Sequence, residues 1–229
     1  GYLGYWFFVS PDMRREADSI TPGSWPKFAS LELIRSPNFP DDWQGNAITC
    51  DFRAHRVVRF KLNEAGSTLA GKEMPDLLRS TNVTFRPIDV RMGPDGALYV
   101  ADWSNPIIQH GEVDFRDPRR DHEHGRIWRV VGKSEIRNPK SEFARKHDLT
   151  KLSIKNLLDR TLSNNGWEQE QARRVVALKL RPKASGKSFN DIRDWVAKQK
   201  DSRAILEALW MNESIGTFDD ALLKRVLAS

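Results

Sequence analysis

Three polar stretches of the chain carry residue types that do chemistry. The first holds Arg53, His55 and Arg56, the second Arg86, and the third runs from Asp102 to His124. A guanidinium is a rigid fork of N–H donors that grips a carboxylate or phosphate through paired bonds. Arg53, Arg56 and Arg86 therefore suit an anionic cofactor or an acidic sugar. A histidine titrates near neutrality, which fits His55 or His110 to take a proton from a hydroxyl group, with Asp102 as an orienter. The third stretch also holds Trp103, Asn105, Gln109, Glu112, Asp114 and Asp117, and three of the five histidines, His110, His122 and His124. Oxygen ligands around Asn105, Asp114 and Asp117 are the kind Ca²⁺ prefers, though without a fixed calcium-loop spacing. The same residues also have a structural reading. Asp114, Arg116, Asp117, Arg119, Arg120 and Asp121 suit ion pairs that brace a long loop, and Arg53 and Arg56 suit neighbouring carboxylates. His122 and His124, two apart ahead of a strand, suit local hydrogen bonds more than a metal.

The elements that must position these groups are short and β-like up to about residue 131. Residues 31–36, 46–52 and 57–62 and a run ending near Leu78 read as strands, with residues 63–66 as a turn. Four strands in about 50 residues is the size of one propeller blade. A second set follows: residues 88–92, the turn Gly93-Pro94-Asp95-Gly96, residues 97–102, a long polar loop at 104–124, and residues 125–131. In a propeller, chemistry sits where the loop between a blade's second and third strands meets the entry to the next blade. That rule gathers Arg53, His55, Arg56, Arg86 and the long loop on one face, and puts the 94–96 hairpin on the other. A loop of about 20 residues is uncommon in a compact domain and often functional.

After residue 135 the composition changes to helix formers, and proline appears only at Pro139 and Pro182. Apolar residues recur at helical spacing on five faces, from Leu152–Leu162 to Ala221–Leu227. The tryptophans Trp167, Trp195 and Trp210 share that spacing and read as core. The expected fold is therefore β + α and multidomain. Residues 1–134 are the last blades of a β-propeller, 135–147 a linker, and 148–229 an incomplete HEAT-like helical array, with a plain bundle as the alternative. Residues 1–9 are aromatic and apolar but lack a basic start and a cleavage site, so they read as an interior strand rather than a signal peptide. The chain is thus expected to begin mid-domain and to continue past its last helix. Residues 1–131 hold too few strands to close a six-bladed ring, so exposed sheet edges are expected.

Composition narrows the function classes. Net charge is +6, with 17 Lys+Arg against 18 Asp+Glu in residues 1–131 and 20 against 13 in residues 132–229. The charges are interspersed and accompany no nucleic-acid-binding motif, so nucleic acid is not an expected partner. A single cysteine, Cys50, excludes an internal disulfide framework, a cysteine-based zinc site and a c-type haem motif within this segment. No run of 18 apolar residues is present to span a membrane.

Several longer motifs add a family resemblance. They are Trp43-Gln44-Gly45-Asn46, Ile48-Thr49-Cys50-Asp51-Phe52-Arg53-Ala54-His55-Arg56-Val57, and Phe85-Arg86-Pro87-Ile88-Asp89-Val90. Gly93-Pro94-Asp95-Gly96-Ala97-Leu98-Tyr99-Val100-Ala101-Asp102-Trp103 continues into Asn105-Pro106-Ile107-Ile108-Gln109-His110-Gly111-Glu112 and residues 117–130. Together these resemble the membrane-bound dehydrogenase-like proteins of planctomycete-type bacteria, whose propeller is similar to that of glucose/sorbosone dehydrogenases. In that family HEAT-like helices and a C-terminal c-type haem domain typically follow.

The resemblance implies an extracytoplasmic sugar or alcohol dehydrogenase using pyrroloquinoline quinone and Ca²⁺, with electrons passed to a haem domain or cytochrome outside this segment. It implies that Arg86, with Arg53 and Asn105, contacts cofactor or substrate, and that the remaining cofactor contacts lie outside this chain. Two other functions stay open on the residues alone. One is a non-catalytic scaffold that binds a carbohydrate and docks a protein partner on its helices. The other is a purely architectural role.

Overall fold

The computed structural model describes residues 27–108, 113–132, 148–181 and 186–228, and for 186–189 the backbone only. His110, Gln109, Glu112, residues 1–9 and the expected linker lie outside the described residues. The chain divides into two compact units, residues 1–141 and 142–229.

In the first unit, alternating apolar residues and tight turns give seven described strands. They are β1 (Phe28–Leu33), β2 (Ala47–Asp51), β3 (Arg56–Ala65), β4 (Thr68–Arg79), β5 (Pro87–Met92), β6 (Leu98–Asp102) and β7 (Arg126–Val130). They form two antiparallel meanders, one of order β1-β2-β3-β4 and one of order β5-β6-β7. β2 is buried along its whole length, so both of its faces are covered. In β6 the alternation sends Leu98, Val100 and Asp102 inward. Ile48, Val57, Val58, Val90, Leu98 and Val100 are fully buried, each worth about 1.5–3 kcal/mol of transfer free energy.

Polar side chains join the two sheets. Ser30 Oγ donates to Asp89, and Glu32 Oε2 accepts from Met92 N at 3.1 Å. Ser36 Oγ donates to the Gly96 carbonyl at 2.8 Å, and Asn38 Nδ2 to the Asp95 carbonyl at 2.9 Å. The β5–β6 turn thus seats against the loop after β1. Gly96 has φ +74°, the left-handed conformation the turn demands.

In the second unit, five described helices follow: α1 (Ile154–Arg160), α2 (Gly166–Leu180), α3 (Gly186–Val196), α4 (Ser202–Ser214) and α5 (Asp220–Leu227). Side-chain caps start four of them, supplied by Ser153, Asn165, Asp201 and Asp219. Their apolar faces converge on one core that includes Leu157, Val176, Ile192, Trp195, Ala208 and Leu222. Among the described residues, no helix is long and apolar enough to cross a membrane.

The expected fold class is therefore corrected. The described residues form two small open sheets of four and three strands and five helices, with neither a propeller nor a closed barrel. Strand spacing and turn chemistry specify hairpins and meanders, which occur here at the expected places. Ring closure is a property of many sheets together, and no local signal encodes it. The helical faces meet in a single core. Two smaller corrections follow. β3 runs on to Ala65, so the turn expected at 63–66 is confined to its end. Trp210 is 46% exposed rather than core, and the Arg173 guanidinium lies 5.7 Å from its ring. Arg173 is held there by the buried carboxylate of Glu207, through Nε and through Nη2 at 2.6 Å.

Candidate functional site

Four of the expected site residues, His55, Arg86, Asp102 and Asn105, meet at one end of the first unit. Arg86 precedes β5, Asp102 ends β6, His55 lies in the β2–β3 turn, and Asn105 opens the long loop. Asp102 is 3% exposed. Its Oδ1 accepts from Arg86 N at 2.8 Å and Ser104 N at 2.9 Å. Its Oδ2 accepts from Trp128 Nε1 at 3.0 Å and lies 2.8 Å from Arg126 Nε. The carboxylate therefore ties the entry of β5, the exit of β6 and the start of β7 together.

Arg86 is 6% exposed, and backbone carbonyls take up its guanidinium. Nε donates to Asn105 O at 2.8 Å and Nη2 to Pro106 O at 3.0 Å. Nη1 donates to Phe52 O at 3.0 Å and, more weakly, to Arg53 O at 3.4 Å. Burial holds this guanidinium below the usual arginine range, and the Asp102 carboxylate partly offsets that. Arg86 is in effect a clasp between the β2–β3 turn and the loop that starts at Trp103.

His55 completes the clasp. Its Nδ1 lies 2.9 Å from Phe85 O, and Arg86 Nη1 lies 3.3 Å from Nδ1 and 3.5 Å from Nε2. His55 and Ser104 both adopt left-handed backbone, with φ of 57° and 56°. Such conformations cost roughly 1 kcal/mol or more and persist only where their surroundings hold them.

Asn105 and the other expected residues are placed as follows. Asn105 is buried, and its amide donates to Asp121 O while its Oδ1 accepts from Ile107 N. Arg53 is exposed, and only its carbonyl belongs to the clasp. Arg56 is buried among Asp51, Glu73 and Asp76, at 3.2, 2.8 and 3.3 Å. Asp114 accepts from Arg116 N, and Asp117 pairs with Arg119 at 2.6 Å. That pairing keeps the Asp117 carboxyl well below the usual carboxylate range. Among the described residues, no three or more His, Cys, Asp or Glu side chains are gathered to hold a metal ion.

Two residues have roles that the sequence did not show: Arg120 reads there as bracing the loop by ion pairs, and Trp128 has no expected part. Arg120 is 6% exposed and clasps the long loop from within, donating to Ile107 O, Val113 O and Asp114 O. Trp128 anchors Asp102 and packs edge-on to Phe85 at 6.5 Å. Its place opposite Val100 in the register was readable only once β6 and β7 were known to pair.

A quinone cofactor carries carboxylates that need free guanidinium donors. Arg86 has spent its donors on four backbone carbonyls, and Asp102 and Asn105 are equally committed. Arg86, Asp102 and Asn105 thus have no donors turned towards a quinone carboxylate, and among the described residues Asp114 and Asp117 are not gathered with a third carboxylate as a Ca²⁺ site.

No curated protein and no solved structure is a match for this chain. One family model does match, over residues 7–134, which is 128 of the 229 residues. By that span, which contains every residue of the clasp, the chain belongs to the family described as a domain of unknown function, DUF7133.

Proposed function

We propose that this segment is a non-catalytic binding scaffold of an extracytoplasmic protein, with a carbohydrate as its ligand. One observation carries the reading: among the described residues, Arg86, Asp102 and Asn105 are consumed in holding the backbone. Arg86 and Arg120 satisfy the carbonyls of a loop whose described residues form no strand or helix, so those residues are preformed rather than reactive. Preformed loops bind at a lower ordering cost.

The ligand class is supported by aromatic side chains exposed on the loop and on β7. Phe115 is 64% exposed and lies 5.4 Å from the Arg120 guanidinium, and Trp128 is 44% exposed beside Arg126. Aromatic rings take the C–H face of a sugar, and N–H donors take its hydroxyls. Resemblance to the membrane-bound dehydrogenase-like proteins supports the extracytoplasmic location.

The test is calorimetric titration of the 229-residue chain with cellohexaose, maltohexaose and chitohexaose, and in parallel with pyrroloquinoline quinone plus Ca²⁺. Binding of at least one glycan and none of the quinone is expected. Tight quinone binding that Arg86→Ala weakens would overturn the reading in favour of a sugar or alcohol dehydrogenase. Absence of glycan binding would remove the carbohydrate.

A further inference from the structure

Arg56, Arg59, Arg86 and Arg120 are buried, and three of them are well supplied with acceptors. Arg56 has three carboxylates, and Arg86 and Arg120 have backbone carbonyls. Arg59, 5% exposed, is the exception. Its Nη1 donates to Asn46 Oδ1 at 2.9 Å, and its guanidinium carbon lies 4.4 Å from the centroid of the Trp43 ring. Nε is buried with no acceptor, and among the described residues no carboxylate pairs with the group.

Burying a guanidinium without a counter-charge is costly. The Trp43 ring offsets part of that cost through its π face. A ring below the guanidinium leaves the in-plane N–H bonds unanswered, however, and Asn46 answers only the Nη1 end. The remaining edge, where the Nε–H and one Nη2–H run parallel, is the edge that grips a carboxylate side-on through two bonds.

The surroundings of this edge are fixed. Asn46 is buried, and its amide donates to Asp42 O at 3.1 Å. Gln44 Nε2 donates to Ser36 O at 2.8 Å and to Phe39 O at 3.0 Å, and Phe39 stacks on Trp43 with ring centroids 6.3 Å apart. Asp41, Asp42, Gln44 and Gly45 are exposed, so the turn that carries Trp43 lies at the surface.

We propose that the Nε/Nη2 edge of Arg59 is a binding site for a single carboxylate, as carried by a uronic acid or a small organic acid. Charge selects a carboxylate over phosphate. Arg59 supplies one cation, and Asp41 and Asp42 on the adjoining turn repel a second negative charge. Asn46 precedes β2 and His55 follows it, so the site lies at the far end of β2 from the clasp. It stands whether or not the long loop binds a sugar.

Heteronuclear NMR of the side-chain Nε–H groups tests the site in the full chain. The Arg59 Nε–H resonance is followed during titration with acetate, glucuronate, glucuronate methyl ester and inorganic phosphate. Acetate and glucuronate are expected to shift it to saturation, and the ester to leave it in place. Tighter binding of glucuronate than of acetate supports the site with a uronic acid as its ligand, and equal binding supports it with a small organic acid. Arg59→Lys keeps the charge but loses the fork, and should weaken the tighter-binding carboxylate roughly tenfold in calorimetry. No saturable shift with either carboxylate, or the same shift with the ester or with phosphate, overturns the proposal. That resonance belongs to the wild type, so the outcome does not depend on whether the variant folds.

Discussion

At the scale of single residues, burial decides what a reactive side chain becomes. Arg86 reads in sequence as an anion clamp, yet once buried it turns to the nearest unsatisfied acceptors, the carbonyls of residues 52, 53, 105 and 106. Arg86→Ala strands those carbonyls and is expected to lower unfolding free energy by about 3 kcal/mol in urea titration. Arg86→Lys should recover only part of that, because an ammonium cannot span four acceptors as a planar fork does. Equal stability of all three proteins would show that solvent replaces the clasp. Cys50 tells the same story in a thiol. Burial first, then the Asp89 carboxylate, outweigh Arg91 and push its pKa up to about 12. The thiol should resist a disulfide reagent in the native protein and react at once in denaturant. A raised folded value means its contribution is whole below the unfolded thiol pKa of about 8.5 and is lost as pH climbs towards 12. Cys50→Ala should therefore flatten the alkaline limb of the stability profile. The sequence made the site's membership legible, since His55, Arg86, Asp102 and Asn105 do converge. Their roles were not legible, because residue type does not say whether a guanidinium ends facing solvent or carbonyls.

At the scale of elements, local rules carried most of the information. Gly93-Pro94-Asp95-Gly96 names its own turn, and alternation names β6. β2 was also readable, as an apolar run, but not that both its faces are covered. The seam between the sheets was hidden, because it depends on Ser36 and Asn38 reaching a turn 57 to 60 residues away. Gly96 sits at that seam for two reasons at once. Its φ is +74°, and an added Cβ would lie 2.6 Å from Ser36 Oγ and 2.7 Å from Asn38 Nδ2. Gly96→Ala is expected to cost about 2–3 kcal/mol, combining left-handed strain with a broken seam. Ser36→Ala together with Asn38→Ala, compared with and without Gly96→Ala, separates the two parts. If the clash dominates, Gly96→Ala costs little more in that background in thermal melts; if strain dominates, it costs nearly as much as in the wild type.

At the scale of the whole molecule, the seven described strands build two sheets whose facing strands, β1 and β5, are stitched together, while β7 ends the second sheet. The propeller expectation failed at this scale alone. Blade-sized strand groups are local, whereas closure depends on how many sheets surround an axis. The consequence falls on β7. Alternation turns Trp128 to the face of Asp102 and Phe85, where it stays 44% exposed, and turns Ile127 to the opposite face, where it is 75% exposed. Among the described residues no strand pairs with the outer edge of β7. Its two arginines are neutralised by Asp102 and Asp95, so little net charge guards that edge. An apolar edge strand without a gatekeeping charge recruits other strands. The 229-residue chain is accordingly expected to self-associate in a concentration-dependent way, and Ile127→Lys to shift it towards monomer in sedimentation velocity. Because Ile127 touches neither the clasp nor the core, that variant should keep the wild-type melting midpoint. Self-association that persists unchanged in Ile127→Lys would move the sticky surface elsewhere, with the exposed Leu178, Trp210 and Phe218 of the helical unit next in line.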